Sequence, residues 1–176
     1  MRIIAGTLGG RQFVSPHGHR THPMSDKGRG ALFNALGDIV SLSVLDAFAG
    51  SGALSFEAVS RGAARALAID SDRAAQTAIA ENIKSLHLAA QVKLVTASAN
   101  AWLSTTDDKF DLVLLDPPFE NLQPDLLLKL AGRAKRGGLV VLSLPPHADQ
   151  PLLDNYQHLN TKAFSDNQLV FYRRAG

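Results

Sequence analysis

The stretch Val44-Leu45-Asp46-Ala47-Phe48-Ala49-Gly50-Ser51-Gly52 joins a short apolar run to two closely spaced glycines. A helical pattern follows at once and predicts a helix over residues 51–61, with Gly62 suited to the left-handed position behind it. Strand, glycine turn and helix in this order are typical of an α/β sheet, whose ligands bind at the carboxyl ends of its strands. The stretch therefore predicts both the fold class and one edge of a ligand site.

Further apolar runs predict the rest of this sheet. Residues 66–69, 92–95, 110–115 and 138–144 are short and continuously apolar, as a parallel sheet covered on both faces requires. Helical spacing predicts helices over residues 25–36 and 72–88, the second capped by Ser71. Alternating strands and helices imply right-handed crossovers and an open, mostly parallel α/β sheet.

Both ends of the chain have the pattern of β-hairpins. Residues 2–6 and 11–14 flank a glycine-containing turn, and residues 155–164 and 169–173 flank a second turn. The C-terminal pair would add two antiparallel strands and complete a sheet of seven. We expect one domain over residues 1–176: a hairpin and basic arm in 1–24, then a Rossmann-like core in 25–176.

The bulk composition excludes several classes of protein. The chain has 176 residues, a formal net charge of +2 and no cysteine, so disulfides, thiolate catalysis and zinc sites built on sulfur are excluded. No apolar stretch approaches the roughly 20 residues needed to span a bilayer. The histidines lack companions at metal-ligand spacing. We expect a cytoplasmic protein with no metal.

Asp116-Pro117-Pro118-Phe119 directly follows the apolar run of residues 110–115. Two prolines cannot continue a strand, so the run ends abruptly at the sheet edge. The Asp116 carboxylate and the Pro117 carbonyl then form a pair of acceptors beside the aromatic face of Phe119. This arrangement predicts a catalytic site, Asp116 to Phe119, that holds a planar amine such as the amino group of a nucleobase.

The acids near the glycine pair indicate the type of cofactor. Asp46, just before the glycines, would repel a phosphate and suits a cationic ligand, such as the amino-acid end of S-adenosylmethionine (SAM). Position 55 is Ser55, where the fingerprint for a dinucleotide needs a third glycine. Asp70 follows at the end of the second strand, at the spacing of an acid that binds a ribose hydroxyl. A nicotinamide-dependent reductase is therefore disfavoured.

The first 29 residues are strongly basic. They contain a single acid, Asp26, and five basic side chains: Arg2, Arg11, Arg20, Lys27 and Arg29. Two interpretations stay open, a solvated tail and an arm that contacts nucleic-acid phosphates.

Several motifs are together similar to one known family. They are Arg2-Ile3-Ile4-Ala5-Gly6 with Gly10-Arg11, Pro23 and Asp26 through Leu32-Phe33-Asn34, the stretch from Leu45 to Leu54, Asp116-Pro117-Pro118-Phe119, and Phe171-Tyr172-Arg173-Arg174. The combination resembles the RsmD family of class I SAM-dependent methyltransferases, which methylate the exocyclic N2 of a guanine in small-subunit ribosomal RNA. The opening motif and Phe33-Asn34 discriminate most, because generic methyltransferases lack them.

The resemblance implies a class I methyltransferase fold, SAM as cofactor, S-adenosylhomocysteine as product and residues 116–119 as catalytic. The cofactor contacts it implies are Asp46, Phe48, Gly50, Ser51, Gly52, Asp70, Ser71, Ser98 and Asp116. The RNA contacts it implies are Arg2, Arg11, Arg20, His22, Lys27 and Arg29. The expected partner is 16S rRNA in the small ribosomal subunit or its assembly intermediate, and we expect a monomer without membrane contact.

The chain also departs from the family pattern. His22-Pro23-Met24 stands where Arg-Pro-Thr is usual, and Ser98 stands where an Asp or Asn commonly meets the adenine. Gly28 and Gly30 replace better helix formers, at about 1 kcal/mol each relative to alanine. These departures leave the substrate contacts open.

Two rival functions remain. The same chemistry serves adenine N6 or a protein glutamine amide, and an aromatic ring at Phe119 does not name the base. A non-catalytic RNA-binding assembly factor would retain the fold, but the intact motif at residues 116–119 argues against it.

Overall fold

Seven strands form one sheet in the order β3-β2-β1-β4-β5-β7-β6. The computed structural model describes residues 1–18 and 23–176. The strands are β1 (Ser43–Asp46), β2 (Arg65–Asp70), β3 (Val92–Thr96), β4 (Phe110–Leu115), β5 (Ala134–Leu144), β6 (Tyr156–Ala163) and β7 (Gln168–Arg174). The helices are α1 (Asp26–Leu36), α2 (Ala53–Ser60), α3 (Arg73–Ser85), α4 (Ala99–Leu103) and α5 (Pro124–Ala131). Within the described ranges, none of these helices has the length and apolar character needed to cross a bilayer.

The strand directions confirm the predicted mostly parallel α/β sheet. Strands β1 to β5 pair in parallel, and β7 runs antiparallel to both β5 and β6. The strand order reverses between β1 and β4, because β2 and β3 lie on one side of β1 and β5 on the other. Open α/β sheets bind ligands beyond the carboxyl ends of the strands at such a reversal. The topology therefore brings the ends of β1 and β4 together.

The core lies on both faces of the sheet because successive side chains of a strand point to opposite faces. Along β4, Leu112 and Leu114 belong to the cluster under α1, α2 and α3, while Val113 and Leu115 belong to the cluster with α4 and α5. All four side chains are buried. Trp102 is buried in the second cluster and contacts Phe110, in the packing role that aromatic residues usually have.

Helix α2 begins two residues later than predicted. Gly52 has a φ of 83°, in the left-handed region, so it ends the turn and the helix starts at Ala53. A Cβ at position 52 would lie 2.7 Å from the ring of Phe56. Both the backbone conformation and this close approach require glycine. The turn is therefore fixed against α2.

Helix α3 differs from the prediction at both ends. Asp72, and not Ser71, caps it, because the Asp72 carboxylate accepts a hydrogen bond from the Ala75 amide at 3.0 Å. The helix ends at Ser85, three residues before the predicted end. Helices α4 and α5 were not predicted, since the five residues of α4 are too few to show a helical period.

The N-terminal segment, residues 1–18, pairs as predicted but forms little regular strand. One antiparallel bridge joins Arg2 and Gln12, and the Ile3 amide donates to the Arg11 carbonyl at 2.9 Å. Ile3 and Phe13 are buried in the same cluster as α1 and α2. The segment thus contributes to the core of the sheet domain.

Candidate active site

A cleft of about 950 Å³ opens at the carboxyl ends of the parallel strands. Segments at the ends of four strands line it: residues 47–51 at the end of β1, 70–72 at the end of β2, Ser98 and Asn100 after β3, and 116–121 after β4. Parallel strands end at one edge of a sheet, so segments far apart in sequence meet there. The topology thus brings most of the predicted cofactor and catalytic residues to one cleft.

Backbone and carboxylate contacts hold the glycine loop between β1 and α2. The Gly50 amide donates to Asp70 Oδ2 and the Asp72 amide donates to Asp70 Oδ1, each at 2.8 Å. The Ala49 amide donates to the Ile69 carbonyl at 2.9 Å. Burial raises the pKa of Asp70, while these amides act in the opposite direction. Asp70 therefore ties the end of β2 to the loop, with its side chain in the cleft wall.

Asp46 is buried beneath the cleft and does not line it, in contrast with its neighbour Ala47. Its Oδ2 accepts a hydrogen bond from the Ser55 hydroxyl at 2.7 Å, whereas Oδ1 has no partner among the described residues. Burial raises the pKa of Asp46 to about 7, and the charges of Asp116 and Asp70 act in the same direction. Ser55, which stands where the dinucleotide fingerprint needs a glycine, is thus a hydrogen-bond donor to Asp46.

Asp116, Pro117, Pro118 and Phe119 lie together in the cleft wall at the end of β4. Burial raises the pKa of Asp116 to about 6, and the Ser143 hydroxyl acts in the opposite direction. Phe119 is half-buried and begins a short 3₁₀ turn that ends at Asn121. The carboxylate and the ring therefore border the same space, as the sequence predicted.

The other predicted cofactor residues occupy different positions around the cleft. Phe48, Ser51, Ser71 and Ser98 line it, while Gly52 lies behind the loop. The Ser98 hydroxyl caps α4 by accepting from the Ala101 amide at 3.1 Å, which leaves the hydroxyl proton free to donate.

Sequence reasoning missed several polar residues of the cleft, among them Asn100 and Gln123. Asn100 follows the end of β3 by four residues, so the rule that placed Asp70 after β2 would have found it. Gln123 comes from the loop before α5, a helix that was not predicted, and carries no such signal.

Three buried side chains attach the N-terminal segment to α2 and α3. Glu57 accepts from the Ile4 and Ala5 amides at 2.8 and 3.1 Å, and Ser60 Oγ donates to the Ala5 carbonyl at 2.6 Å. Asn82 binds both the amide and the carbonyl of Val14, and its Nδ2 also lies 3.4 Å from the Ser51 carbonyl. Ser15, Pro16 and Gly18, which follow this attachment, line the cleft.

A glycine makes this attachment sterically possible. Gly6 has a φ of 84°, and a Cβ there would lie 1.9 Å from the Ser60 carbonyl oxygen. No other residue type fits so close to the α2 backbone.

The predicted RNA-contacting residues do not form one exposed cluster. Arg11 and Lys27 are exposed, and Arg2 forms a solvent-exposed ion pair with Asp26. Arg29 differs from the expected surface arm because it is fully buried and lines the cleft from α1. Arg20 and His22 lie outside the described residues.

Comparison with known proteins gives a consistent assignment. Residues 1–173 match the family described as Conserved hypothetical protein 95. The Ribosomal RNA small subunit methyltransferase D of Haemophilus influenzae is 30% identical over an alignment of 180 residues, covering 98% of this chain and 92% of that protein. The chain belongs to the RsmD family.

Two further relatives of this RsmD-family chain come from Escherichia coli. The Ribosomal RNA small subunit methyltransferase D of strain K12 is 39% identical over 120 residues, spanning 68% of this chain but only 60% of that protein's length. The solved structure of the protein yhhF is 30% identical with a TM-score of 0.88, covering 99% of this chain and 98% of that one. These matches confirm the resemblance and the Rossmann-like class I methyltransferase fold.

Proposed function

We propose that this RsmD-family protein transfers a methyl group from SAM to the exocyclic N2 of a guanine in 16S rRNA. The observation that carries the proposal is the joint position of Asp116, Pro117 and Phe119 in one cleft with the glycine loop and Asp70. The curated relatives from Haemophilus influenzae and Escherichia coli, whose names specify small-subunit ribosomal RNA, support this substrate. We further propose that the protein acts in the cytoplasm as a monomer, on the small subunit or its assembly intermediate.

The residues of the cleft fit SAM. Within residues 1–18 and 23–176, Asp46 Oδ1 is a buried acceptor without a partner, and no ion pair involves Asp46, Asp70 or Asp116. Unneutralised carboxylates around a cleft favour a cationic ligand over a dinucleotide, whose phosphates they would repel. The cofactor supplies an electrophilic methyl group on a sulfonium.

The nucleoside part of SAM would be held by four residues: Asp70, Phe48, Ser71 and Ser98. The Asp70 carboxylate has lone pairs left beyond its two amide contacts and can accept a ribose hydroxyl. Ser98 can donate its hydroxyl proton to the adenine. Gly50 and Ser51 line the cleft, and the absence of a side chain at Gly50 allows a ligand to approach the backbone closely.

The chemistry of the proposed reaction depends on geometry at Asp116. With a pKa of about 6 the Asp116 carboxylate is mostly ionised at neutral pH and accepts one N–H of the amine. The Pro117 carbonyl accepts the other, which draws the nitrogen toward tetrahedral geometry with its lone pair directed at the methyl group. Phe119 stacks on the base plane and contributes about 1 to 3 kcal/mol. Correct placement supplies much of the rate without a dedicated base, and the methylated nitrogen releases its proton to water after the transfer.

The target guanine has to leave its stack to reach Asp116, so an RNA loop or bulge suits the cleft better than a regular helix. Arg11 and Lys27 are exposed, and each lies a few residues in sequence from a cleft-lining residue, Ser15 and Met24 respectively. They would contact phosphates around the target.

Labelled methyl transfer to small ribosomal subunits that lack the modification tests this proposal. The purified protein is incubated with labelled SAM and the subunits, and the RNA is then digested to nucleosides. We expect the label in N2-methylguanosine. Label in N6-methyladenosine, label in a protein glutamine, or binding of the subunits without transfer would each overturn it.

A further inference from the structure

The Arg29 side chain is a buried cation whose hydrogen-bonding capacity is only partly used. Nη2 donates to the Arg2 carbonyl at 2.7 Å and to Asp26 Oδ1 at 3.0 Å. Nε and Nη1 are buried, and neither has a partner among the described residues. Since unpaired buried polar groups destabilise a protein, a charged side chain left in this state points to a missing acceptor.

The surroundings of Arg29 indicate where that acceptor would lie. Arg29 lines the cleft, as do Ala53 and Leu54 in the first turn of α2. The N-cap residue of α2 is Gly52, which has no side chain to cap the helix, although the Ala53 amide donates to Ser51 Oγ at 3.3 Å. The first amide groups of a helix carry partial positive charge, so this wall attracts an anion.

Acidic groups occupy a different part of the same cleft. Asp70 and Asp116 line it and Asp46 lies beneath it, with no basic side chain of the described residues ion-paired to any of the three. The cleft therefore offers one anion site, at Arg29 and the start of α2, and one cation site, at the three carboxylates. A ligand with an α-amino-acid end, whose ammonium and carboxylate are attached to one carbon, presents a charge of each sign.

We propose that Arg29 binds the carboxylate of the amino-acid end of SAM, while the acidic cluster attracts its ammonium group. This inference rests on the proposed use of SAM and assigns a cofactor-binding role to a residue that the sequence pattern placed in the RNA-contacting arm. A phosphate of the substrate RNA presents the same anionic chemistry. The acidic groups of the same cleft, which would repel a phosphate and attract an ammonium group, favour the cofactor carboxylate.

Decarboxylated SAM is the direct probe, because it keeps the ammonium and the sulfonium and lacks only the carboxylate. Equilibrium binding of both compounds to the full chain is measured by calorimetry. We expect the wild-type protein to bind SAM about 10- to 100-fold more tightly than decarboxylated SAM, as for a hydrogen-bonded charge pair. Equal affinities would overturn the role of Arg29 while leaving the proposed function intact. Failure of the protein to bind either compound would contradict the proposed function itself.

Variants of Arg29 assign the discrimination to this side chain. In Arg29→Met the preference for SAM should disappear through weaker SAM binding, with decarboxylated SAM bound as before. Arg29→Lys keeps the charge and should retain part of the preference. If Arg29→Met does not fold, the wild-type and Arg29→Lys measurements still decide the question.

Arg133 provides a matched control. It is a buried arginine that directly precedes β5, at the edge of the sheet opposite the cleft, and it forms an ion pair with Asp107. Arg133→Met should leave the preference for SAM unchanged, and a loss of preference there would mean that any buried arginine affects the cleft indirectly.

Binding of a 16S rRNA fragment at several salt concentrations shows whether Arg29 binds the SAM carboxylate or an RNA phosphate. We expect Arg29→Met to leave the salt dependence unchanged. A slope reduced by about 1, together with an unchanged preference for SAM, would assign Arg29 to an RNA phosphate and overturn the proposal.

Discussion

The glycine-loop wall of the cleft and the N-terminal segment beside it are held by different kinds of contact. Backbone amides fix the loop to the adjacent strand, through the carboxylate of Asp70 and the carbonyl of Ile69. Side chains of α2 and α3, chiefly Glu57 and Asn82, hold the segment from more than 50 residues away in sequence. The position of the glycine loop is set by the strand beside it, whereas the position of the N-terminal segment depends on side chains that are distant in sequence. Single substitutions should therefore change methyl transfer, the attachment of the N-terminal segment, or RNA binding separately.

The largest expected effect comes from Asp116→Ala, which removes one acceptor of the amine and leaves both walls in place. The turnover number should fall by about 10³-fold or more, as when a group that acts in the transition state is lost. The dissociation constant for SAM should change far less than the turnover number, because Asp46 and Asp70 still attract the ammonium group. Asp166→Ala, in the exposed turn between β6 and β7, is the control. Wild-type turnover in the Asp116 variant would contradict the mechanism.

Glu57→Ala breaks the attachment of the N-terminal segment. It removes a buried carboxylate that accepts from Ile4 and Ala5 and pairs with Arg61 at 2.8 Å. The free energy of unfolding should fall by about 3 kcal/mol, because partners of a buried ion pair are left unsatisfied. Denaturant titration measures this change. Glu81→Ala on the exposed side of α3 should change stability by no more than about 0.5 kcal/mol.

An effect of similar size concerns pH and the buried Asp46. Its pKa is about 7 in the folded protein, against 3.8 for an unperturbed aspartic acid, so the folded state holds a proton that the unfolded state releases. Stability from this group is therefore present below about pH 4 and decreases as the pH rises to about 7, by on the order of 2 to 4 kcal/mol.

Comparison of wild type with Asp46→Asn isolates this contribution. The difference between their free energies of unfolding should shift in favour of the variant between about pH 4 and about pH 7. Asp111, whose pKa is about 2, has the opposite pH dependence, but it is common to both proteins and cancels. Parallel pH profiles would contradict the burial of a titrating Asp46.

The smallest expected effect lies on the substrate side. Arg11→Gln and Lys27→Gln each remove an exposed charge, so the slope of log affinity for the RNA fragment against log salt should decrease by about 1. Lys93 is exposed on β3, an edge strand of the sheet, and Lys93→Gln should not change this slope. Unchanged slopes for Arg11 and Lys27 would return these residues to the solvated-tail interpretation.

Much of the sheet and of the cleft wall after β4 was predictable because each signal is local. Continuous apolar runs located β4 within its observed bounds, and the turn after it follows directly from two consecutive prolines. The glycine loop was recognised in the same way. Its helix was placed too early, because Gly52 resembles any small residue in a helical pattern until its φ of 83° is known.

The environments of Arg29 and Glu57 were not predictable. Arg29 lies among basic residues in sequence, yet α1 turns it toward the cleft beneath the N-terminal segment. Glu57 lies in a helix whose residues are otherwise mostly apolar or small, and its partners are backbone amides that no residue type identifies. Charge along the chain indicates what a side chain can bind, and tertiary packing decides whether it is exposed.

Asn82 gives the N-terminal segment and the glycine loop a common support, since one amide side chain contacts both Val14 and the Ser51 carbonyl. Local unfolding that releases Val14 also removes a contact of the loop. In native-state hydrogen exchange, segments that share such a support open as one cooperative unit. Residues 1–18, although almost without regular secondary structure, should therefore exchange together with the start of α2, and a ligand that protects one should protect the other.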